Sequence, residues 1–502
     1  MKHVLAIDQG TTGSTCLVIG EDGAIAGRGY REIAQHYPRP GWVEHDADEI
    51  LARTLEAARE AIARAAVTPD AIGITNQRET VVLWDRRTGK PVHRAIVWQD
   101  RRTAARCREL AGRAPDITVR TGLIVDPYFS ATKLEWLLRE GEGEGGGGGQ
   151  RGLAARAERG DLAAGTIDSW LIWQLTGGAT HATEPTNAAR TMLFDIDAMQ
   201  WSEELCTLFS VPRVLLPEVR KSSGPFGDTR PEIFGSAIPI TGVAGDQQAA
   251  LFGQGCWSPG ASKNTYGTGA FLLMNTGAER PQAGDGLLAT VGCDARGEPA
   301  YALEAAIFIA GAAVQWLRDG LGLLDSAAES ESMARSVEST EGVYFVPALV
   351  GLGAPDWEPE ARGTIVGLTR GTRSEHIVRA ALEAMAYSTN DVLALMRERT
   401  GAPFDLLRVD GGAASNDWLM QFQADVLGVP VERPDVVETT ALGAAGLAGI
   451  AAGVWPDADS FIGRRKFRRF EPGEAKGSAQ GGIAGWRRGV RAALSWARDR
   501  GE

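Results

Sequence analysis

Asp8-Gln9-Gly10-Thr11-Thr12-Gly13-Ser14-Thr15 separates two apolar runs, Val4-Leu5-Ala6-Ile7 and Cys16-Leu17-Val18-Ile19. Two β-rich runs flanking glycines and small hydroxyl residues read as a tight hairpin, with the Asp8 carboxylate where the first strand ends. Gly10 and Gly13 let the backbone approach an anion and turn N–H groups toward it, while the Thr11 and Thr12 hydroxyls can donate further hydrogen bonds. A carboxylate does not bind phosphate directly. Asp8 beside such a cradle is instead placed for Mg2+, which is usually held by one or two carboxylates together with phosphate oxygens. An ordinary exposed hairpin turn has the same composition, so the rest of the chain decides between the two.

About half the chain later the pattern returns. Ser262-Lys263-Asn264-Thr265-Tyr266 leads into Gly267-Thr268-Gly269 and then the apolar Ala270-Phe271-Leu272-Leu273-Met274. Two related domains are expected, each with one phosphate hairpin, facing each other across a cleft. Length agrees, because 502 residues exceed the ~250 to 300 at which single cores stop growing. The division is placed at residues 1–250 and 251–502.

Between the hairpins the chain alternates strands and helices, the mark of an α/β sheet. A helical pattern from Asp48 to Ala66 precedes the strand Ala71-Ile72-Gly73-Ile74-Thr75; Asn76-Gln77-Arg78-Glu79-Thr80 then separates it from Val81-Val82-Leu83-Trp84. Adjacent strand residues point to opposite faces, so Arg78 and Glu79 reach one ligand only from a loop or strand end. There a carboxylate that accepts and a guanidinium that donates suit neighbouring hydroxyls; an ordinary surface ion pair is the alternative. Trp98 follows the strand Ala95-Ile96-Val97, beyond a carboxyl end where α/β proteins bind ligands. Ile238 to Ala244 delivers Gly245-Asp246-Gln247-Gln248 at a strand-to-helix junction, and a helix N-terminus favours an ionised Asp246. Later come a helix from Ile307 to Leu317 containing Gly311, a helix from Glu375 to Met396, and the strand Leu406 to Asp410. That strand runs into Gly411-Gly412-Ala413-Ala414-Ser415-Asn416, where a flat ring or a phosphate can lie against the backbone. A last helix begins at Trp486.

Composition excludes several classes. A formal net charge of −12 argues against a nucleic-acid partner, which calls for a basic face. Five scattered cysteines without a C-x-x-C pair and six scattered histidines indicate neither a disulfide framework nor a zinc site, and fit a reduced, cytoplasmic protein. Asp8 interrupts any signal-type apolar segment, and the small-residue run Ala441 to Val454 is too short to span a bilayer, so no membrane insertion is expected. No G-x-x-x-x-G-K-[ST] occurs. The Gly tract from 141 to 149 reads as a mobile surface insertion, and Arg464-Arg465-Lys466-Phe467-Arg468-Arg469 as a solvated basic surface.

Taken in order, Asp8–Thr12, Asn76–Thr80, Tyr128–Trp136, Gly245–Leu251, Thr265–Phe271, Gly363–Glu383 and Arg408–Asn416 resemble the FGGY carbohydrate kinases over nearly the whole chain, and within them the members that phosphorylate glycerol. The resemblance implies two ribonuclease H-like domains, as in actin, hexokinase and the heat-shock ATPases, around a nucleotide cleft. It assigns ATP to Thr11, Thr12 and Gly13 of the first hairpin, Thr268 and Gly269 of the second, Gly311 and Gln315 at the phosphate and ribose, and Gly412 and Asn416 at the adenosine. Glycerol falls to Arg78, Glu79, Tyr128, Asp246 and Gln247, with Trp98 and Phe271 as apolar walls. Asp246 is implied as the general base and Asp8 as the Mg2+ carboxylate. A homo-oligomer, dimer or tetramer, is expected. Alternatives are a kinase for another small polyol or ketose, and a non-catalytic actin-like ATPase. Two departures stand out. Thr15 occupies a place where many members carry Arg, and the loop from Thr229 to Ser236 lacks the Gly-Arg-rich sequence that binds fructose 1,6-bisphosphate in some members, so that inhibition does not carry over.

Overall fold

The computed structural model describes residues 1–140 and 152–499; the Gly tract lies outside them. The N-terminal sheet is built from β1 (His3–Gln9), β2 (Gly13–Gly20), β3 (Ile25–Glu32) and β4 (Ala71–Asn76), with β5 (Val81–Asp85) leading away into a smaller sheet. Its last strand is β6 (Ile240–Gly245), which passes directly into helix α1 (Asp246–Gly253). The order is β6-β4-β1-β2-β3, antiparallel across β1, β2 and β3 and parallel across β1, β4 and β6.

The C-terminal sheet repeats this plan. Its strands are β7 (Ser262–Tyr266), β8 (Ala270–Gly277), β9 (Leu288–Cys293) and β10 (Pro299–Ile307). After α2 (Gly311–Asp319) and the long α3 (Ser374–Thr400) come β11 (Leu407–Asp410), α4 (Asp417–Leu427) and β12 (Val431–Pro434). Helix α5 (Thr439–Ala451) and the edge strand β13 (Phe467–Phe470) follow. The sheet runs β9-β10-β8-β7-β11-β12-β13, again with an antiparallel opening hairpin and, on its other side, parallel β11 and β12 closed by the antiparallel edge strand β13. Both sheets therefore carry the ribonuclease H-like order, and both glycine-threonine stretches are hairpin turns at corresponding positions.

Amphipathic packing explains which faces close. The helix Ala47–Ala65, capped by Asp46, whose side chain accepts from the Asp48 and Glu49 amides, covers β2 and β3 with Ile50, Ala57, Ala58 and Ala61 fully buried. The opposite face of the N-terminal sheet is covered by α1 and by α5, a helix supplied by the C-terminal half. The small-residue run has its reason here: Ala441, Ala444, Ala445 and Ala448 are buried, and their small side chains let α5 lie close to both α1 and the sheet. Serine and threonine anchor it, Ser223 Oγ donating to the Leu447 carbonyl and Thr241 Oγ1 to that of Ala448, each over 2.9 Å.

Two sequence expectations need correction. Ile307 ends strand β10, and the helix begins only at Gly311, because 299–307 pairs along β8 and its apolar alternation belongs to a sheet. The basic run is largely exposed, but Arg465 is not a free surface charge: its guanidinium donates to the carbonyls of Gly253 and Val436, tying the run to α1.

Candidate active site

Arg78 and Glu79 leave the sheet at the carboxyl end of β4, in the loop before β5, and both are buried, at 3% and 1% exposure. This removes the surface-pair alternative. Glu79 sits at φ +61, a left-handed conformation that costs a non-glycine residue about 1–3 kcal/mol. Buried partners hold it there: Ser130 Oγ and Lys133 Nζ donate to its carbonyl over 3.1 and 3.2 Å.

Asp246 begins α1 at the end of β6. Its Oδ1 accepts from the Gln247 amide at 2.7 Å and lies 3.1 Å from Arg78 Nε, while its side chain keeps 32% exposure toward the cleft. Burial raises the Asp246 pKa and the Arg78 guanidinium opposes that rise. Gln247 Oε1 accepts from Lys263 Nζ, a fully buried ammonium on β7 that also reaches Thr265 Oγ1 over 2.9 Å. Burial lowers the Lys263 pKa, with Asp410 and Asp246 acting against it.

Asp8 is half-buried near the carboxyl end of β1. Burial, and then the Asp246 charge, push its pKa to about 7. Thr15 faces Asp8 across the hairpin. A carboxylate so raised, with a second carboxylate as its charged neighbour, is suited to a cation. Among the described residues no cluster of three or more metal-ligating side chains occurs, so a cation here would draw its other ligands from phosphate and water.

Aromatic side chains wall the site. Trp98 and Tyr128 meet edge-on with ring centroids 5.6 Å apart. Trp98 Nε1 also donates to Thr11 Oγ1 over 2.9 Å, joining this wall to the first hairpin; with a lone pair so engaged, the Thr11 hydroxyl proton remains available to an anion. Thr12 is exposed at the turn, and Gly13 starts β2. Phe271 is half-buried on β8, opposite Thr265.

The remaining nucleotide candidates meet elsewhere. A cavity of about 480 Å3 is lined by Thr268, Gly311, Gln315, Ser330, Gly412 and Asn416 among others. Gly269 and the three first-hairpin residues are not part of its lining. The second hairpin closes with Gly267 N donating to the Gly269 carbonyl, and the start of α2 is docked on it, Gly311 N donating to the Gly267 carbonyl over 3.0 Å. The glycine pair divides its work. Gly411, at φ +86, lies where a Cβ would stand 2.4 Å from the Tyr266 carbonyl oxygen, whereas a Cβ at Gly412 would meet open space. Asn416 caps α4, its Oδ1 accepting from the Leu419 amide over 2.9 Å.

Residues 3–253 match the N-terminal domain, and residues 262–452 the C-terminal domain, of the FGGY family of carbohydrate kinases. The chain belongs to the FGGY carbohydrate kinases. It is 53% identical to a glycerol kinase of Carboxydothermus hydrogenoformans and 55% identical to one of Aromatoleum aromaticum, each alignment covering 99% of both chains. A crystal structure of Plasmodium falciparum glycerol kinase with ADP superposes with a TM-score of 0.92 at 36% identity, covering 98% of each chain.

Three charged residues of this FGGY kinase site escaped the reading of its sequence: Lys263, Arg190 and Glu304. Arg190 and Glu304 are buried at 0% and 2% exposure. Glu304 Oε2 accepts from Arg78 Nη1 over 2.6 Å, and its Oε1 accepts from Arg78 Nη2 and Arg190 Nη2, each over 3.1 Å. Arg190 Nε donates to Glu79 Oε1 over 2.6 Å. Burial alone would raise the Glu304 pKa, but Arg190 and Arg78 hold it at about 2. The available signal was a single charge inside an apolar run: Glu304 interrupts Tyr301 to Ile307, and Arg190 lies between Ala188-Ala189 and Met192-Leu193.

Proposed function

We propose that this chain transfers the γ-phosphoryl group of ATP to a terminal hydroxyl of glycerol, giving sn-glycerol 3-phosphate and ADP. Asp246 carries the reading. One of its oxygens is fixed by the Gln247 amide and faces Arg78, and the other, without a partner among the described residues, is free to accept the proton of the attacking hydroxyl. Arg78, Glu79, Tyr128 and Gln247 bind and orient the triol between the Trp98 and Phe271 walls. Thr11, Thr12 and Gly13 meet the phosphates from residues 1–250. Thr268, Gly269, Gly311 and Gln315 meet phosphate and ribose, and Gly412 with Asn416 the adenosine, from residues 251–502.

As the hydroxyl oxygen forms its bond to phosphorus, the bond to the β-phosphate bridging oxygen breaks and ADP leaves. Asp8 would hold Mg2+, which when bound neutralises and orients the β- and γ-phosphates. The same reading makes the protein a cytoplasmic homo-oligomer, dimer or tetramer; among the described residues no helix is long and apolar enough to cross a membrane.

ADP release measured with glycerol, dihydroxyacetone, erythritol and xylulose tests the assignment. Glycerol should give the highest kcat/KM. A higher value with another acceptor selects a different polyol or ketose kinase, and ATP hydrolysis without any phosphorylated acceptor selects an actin-like ATPase.

A further inference from the structure

We propose that Glu304 is a positioning residue for the acceptor site: through Arg78 and Arg190 it aims the two functional carboxylates, Asp246 and Glu79, at the substrate. This rests on the acceptor reading just given.

The geometry is a near-symmetrical clamp. Each arginine turns Nη groups toward Glu304 and Nε toward one functional carboxylate: Arg78 Nε lies 3.1 Å from Asp246 Oδ1, and Arg190 Nε donates to Glu79 Oε1 over 2.6 Å. One oxygen of each carboxylate is thereby engaged, and among the described residues Asp246 Oδ2 and Glu79 Oε2 have no hydrogen-bond partner. Arg190 Nη1 is likewise buried with no hydrogen-bond partner among the described residues. A network serving only to hold the halves together would pair these groups with one another, since breaking up a buried ion pair is costly. Here the two open carboxylate oxygens sit on residues assigned to the substrate, Asp246 and Glu79.

The origin of the parts supports the same role. Glu304 lies on β10 of the C-terminal sheet, whereas Arg78, Glu79, Arg190 and Asp246 all come from residues 78–246. Gln248 Oε1, accepting from Arg78 Nη1 over 3.3 Å, is a weaker second support. Arg190 is further confined by the rings of Tyr128 and Phe129, 5.5 and 5.1 Å from its guanidinium carbon. The planar guanidinium fork makes this arrangement possible, because it fixes the angle between the Nη edge and the Nε edge. The acceptor site is therefore complete only when the two halves are apposed, the second half contributing Glu304 beside Lys263 and Phe271.

Glu304→Gln keeps the shape and removes the charge. Steady-state kinetics should show glycerol KM raised by about tenfold or more and kcat lowered by a comparable factor. The thermal midpoint should fall whichever role Glu304 has, because two buried arginines lose their shared partner; the discriminating readout is that ATP KM stays close to the parent value, and Glu304→Asp should recover part of the loss in glycerol kinetics. If Glu304→Gln does not fold, Arg190→Lys decides, since lysine keeps the charge but cannot serve Glu304 and Glu79 together; it should raise glycerol KM and leave ATP KM unchanged.

Parent-like glycerol kinetics in Glu304→Gln would overturn the proposal, and so would a parallel rise in both KM values, the pattern of a purely structural ion network. The unsubstituted protein in the same assay separates the two levels. If it phosphorylates no polyol, the acceptor reading fails and the positioning role with it, whereas normal turnover beside an indifferent Glu304→Gln defeats the positioning role alone.

Discussion

Asp246→Asn tests the chemical step directly. Asparagine occupies the same volume, and its oxygen can still accept from the Gln247 amide, which reaches Asp246 Oδ1 at 2.7 Å. Its NH2 group then stands where the unpartnered Oδ2 was, so a donor meets the substrate hydroxyl in place of an acceptor. The lost charge-assisted hydrogen bond, worth about 1.5–3 kcal/mol, appears in the glycerol KM, whereas the lost proton acceptor, whose contribution is typically about 10²- to 10⁴-fold, appears in kcat. Because Arg78 keeps Glu304 as a bidentate partner, the local fold should survive, and we expect kcat to fall by about 10² to 10⁴. The nucleotide cavity shares no lining residue with this junction, so ATP affinity should be unchanged. The assay is ADP formation at saturating glycerol and ATP, with nucleotide affinity measured separately by calorimetry. Near-normal kcat would refute the reasoning and reduce Asp246 to the first residue of a helix.

Asp8→Ala should lose most turnover while glycerol binding stays nearly intact, because phosphoryl transfer depends on positioning and charge neutralisation of the phosphates; unchanged turnover across a magnesium titration would remove Asp8 from the mechanism. Gly311→Ala would place a Cβ 2.6 Å from the Gly267 carbonyl oxygen; overpacking of this kind costs about 1–3 kcal/mol, so ATP KM should rise by about tenfold with glycerol KM unaffected, and an unaltered ATP KM would separate the second hairpin from nucleotide binding. His181 supplies a pH test. Its Nε2 lies 2.9 Å from the Ala164 carbonyl and its Nδ1 3.1 Å from Arg86 Nη2, so the neutral ring is satisfied, and burial first and Arg86 second lower its pKa from 6.5 to about 4. A folded value below the unfolded one means stability that is fully present above pH 6.5 and lost as pH falls toward 4, amounting to about 3 kcal/mol. In urea unfolding between pH 6.5 and 4, His181→Gln should show a shallower dependence on pH than the parent, and equal slopes would refute this.

Much of the architecture was legible because its signals are local. The two Gly-Thr turns between apolar runs are hairpins, since glycine content and β-rich flanks act within a few residues. Asp246 was found at a strand-to-helix junction for the same reason. The misplaced helix start at Ile307 shows the limit: an apolar run ending in Ala305-Ala306-Ile307 suits either element, and pairing with β8 settled it.

By itself, then, the sequence determined the duplicated α/β plan, the two turns and the residues that leave strand ends. Tertiary structure alone decided the charge arrangement at the cleft floor. Glu304 meets Arg78 across 226 residues and Arg190 across 114, and such contacts arise only when two sheets are apposed. It also decided the fate of Ala441–Ala451, whose small side chains were consistent with any tight packing until α5 lay against the sheet of the other half. The physical reason is common to both. Periodicity and turn chemistry act along the chain, whereas burial of a charge is tolerable only with its partner in place, and that partner is set by the fold.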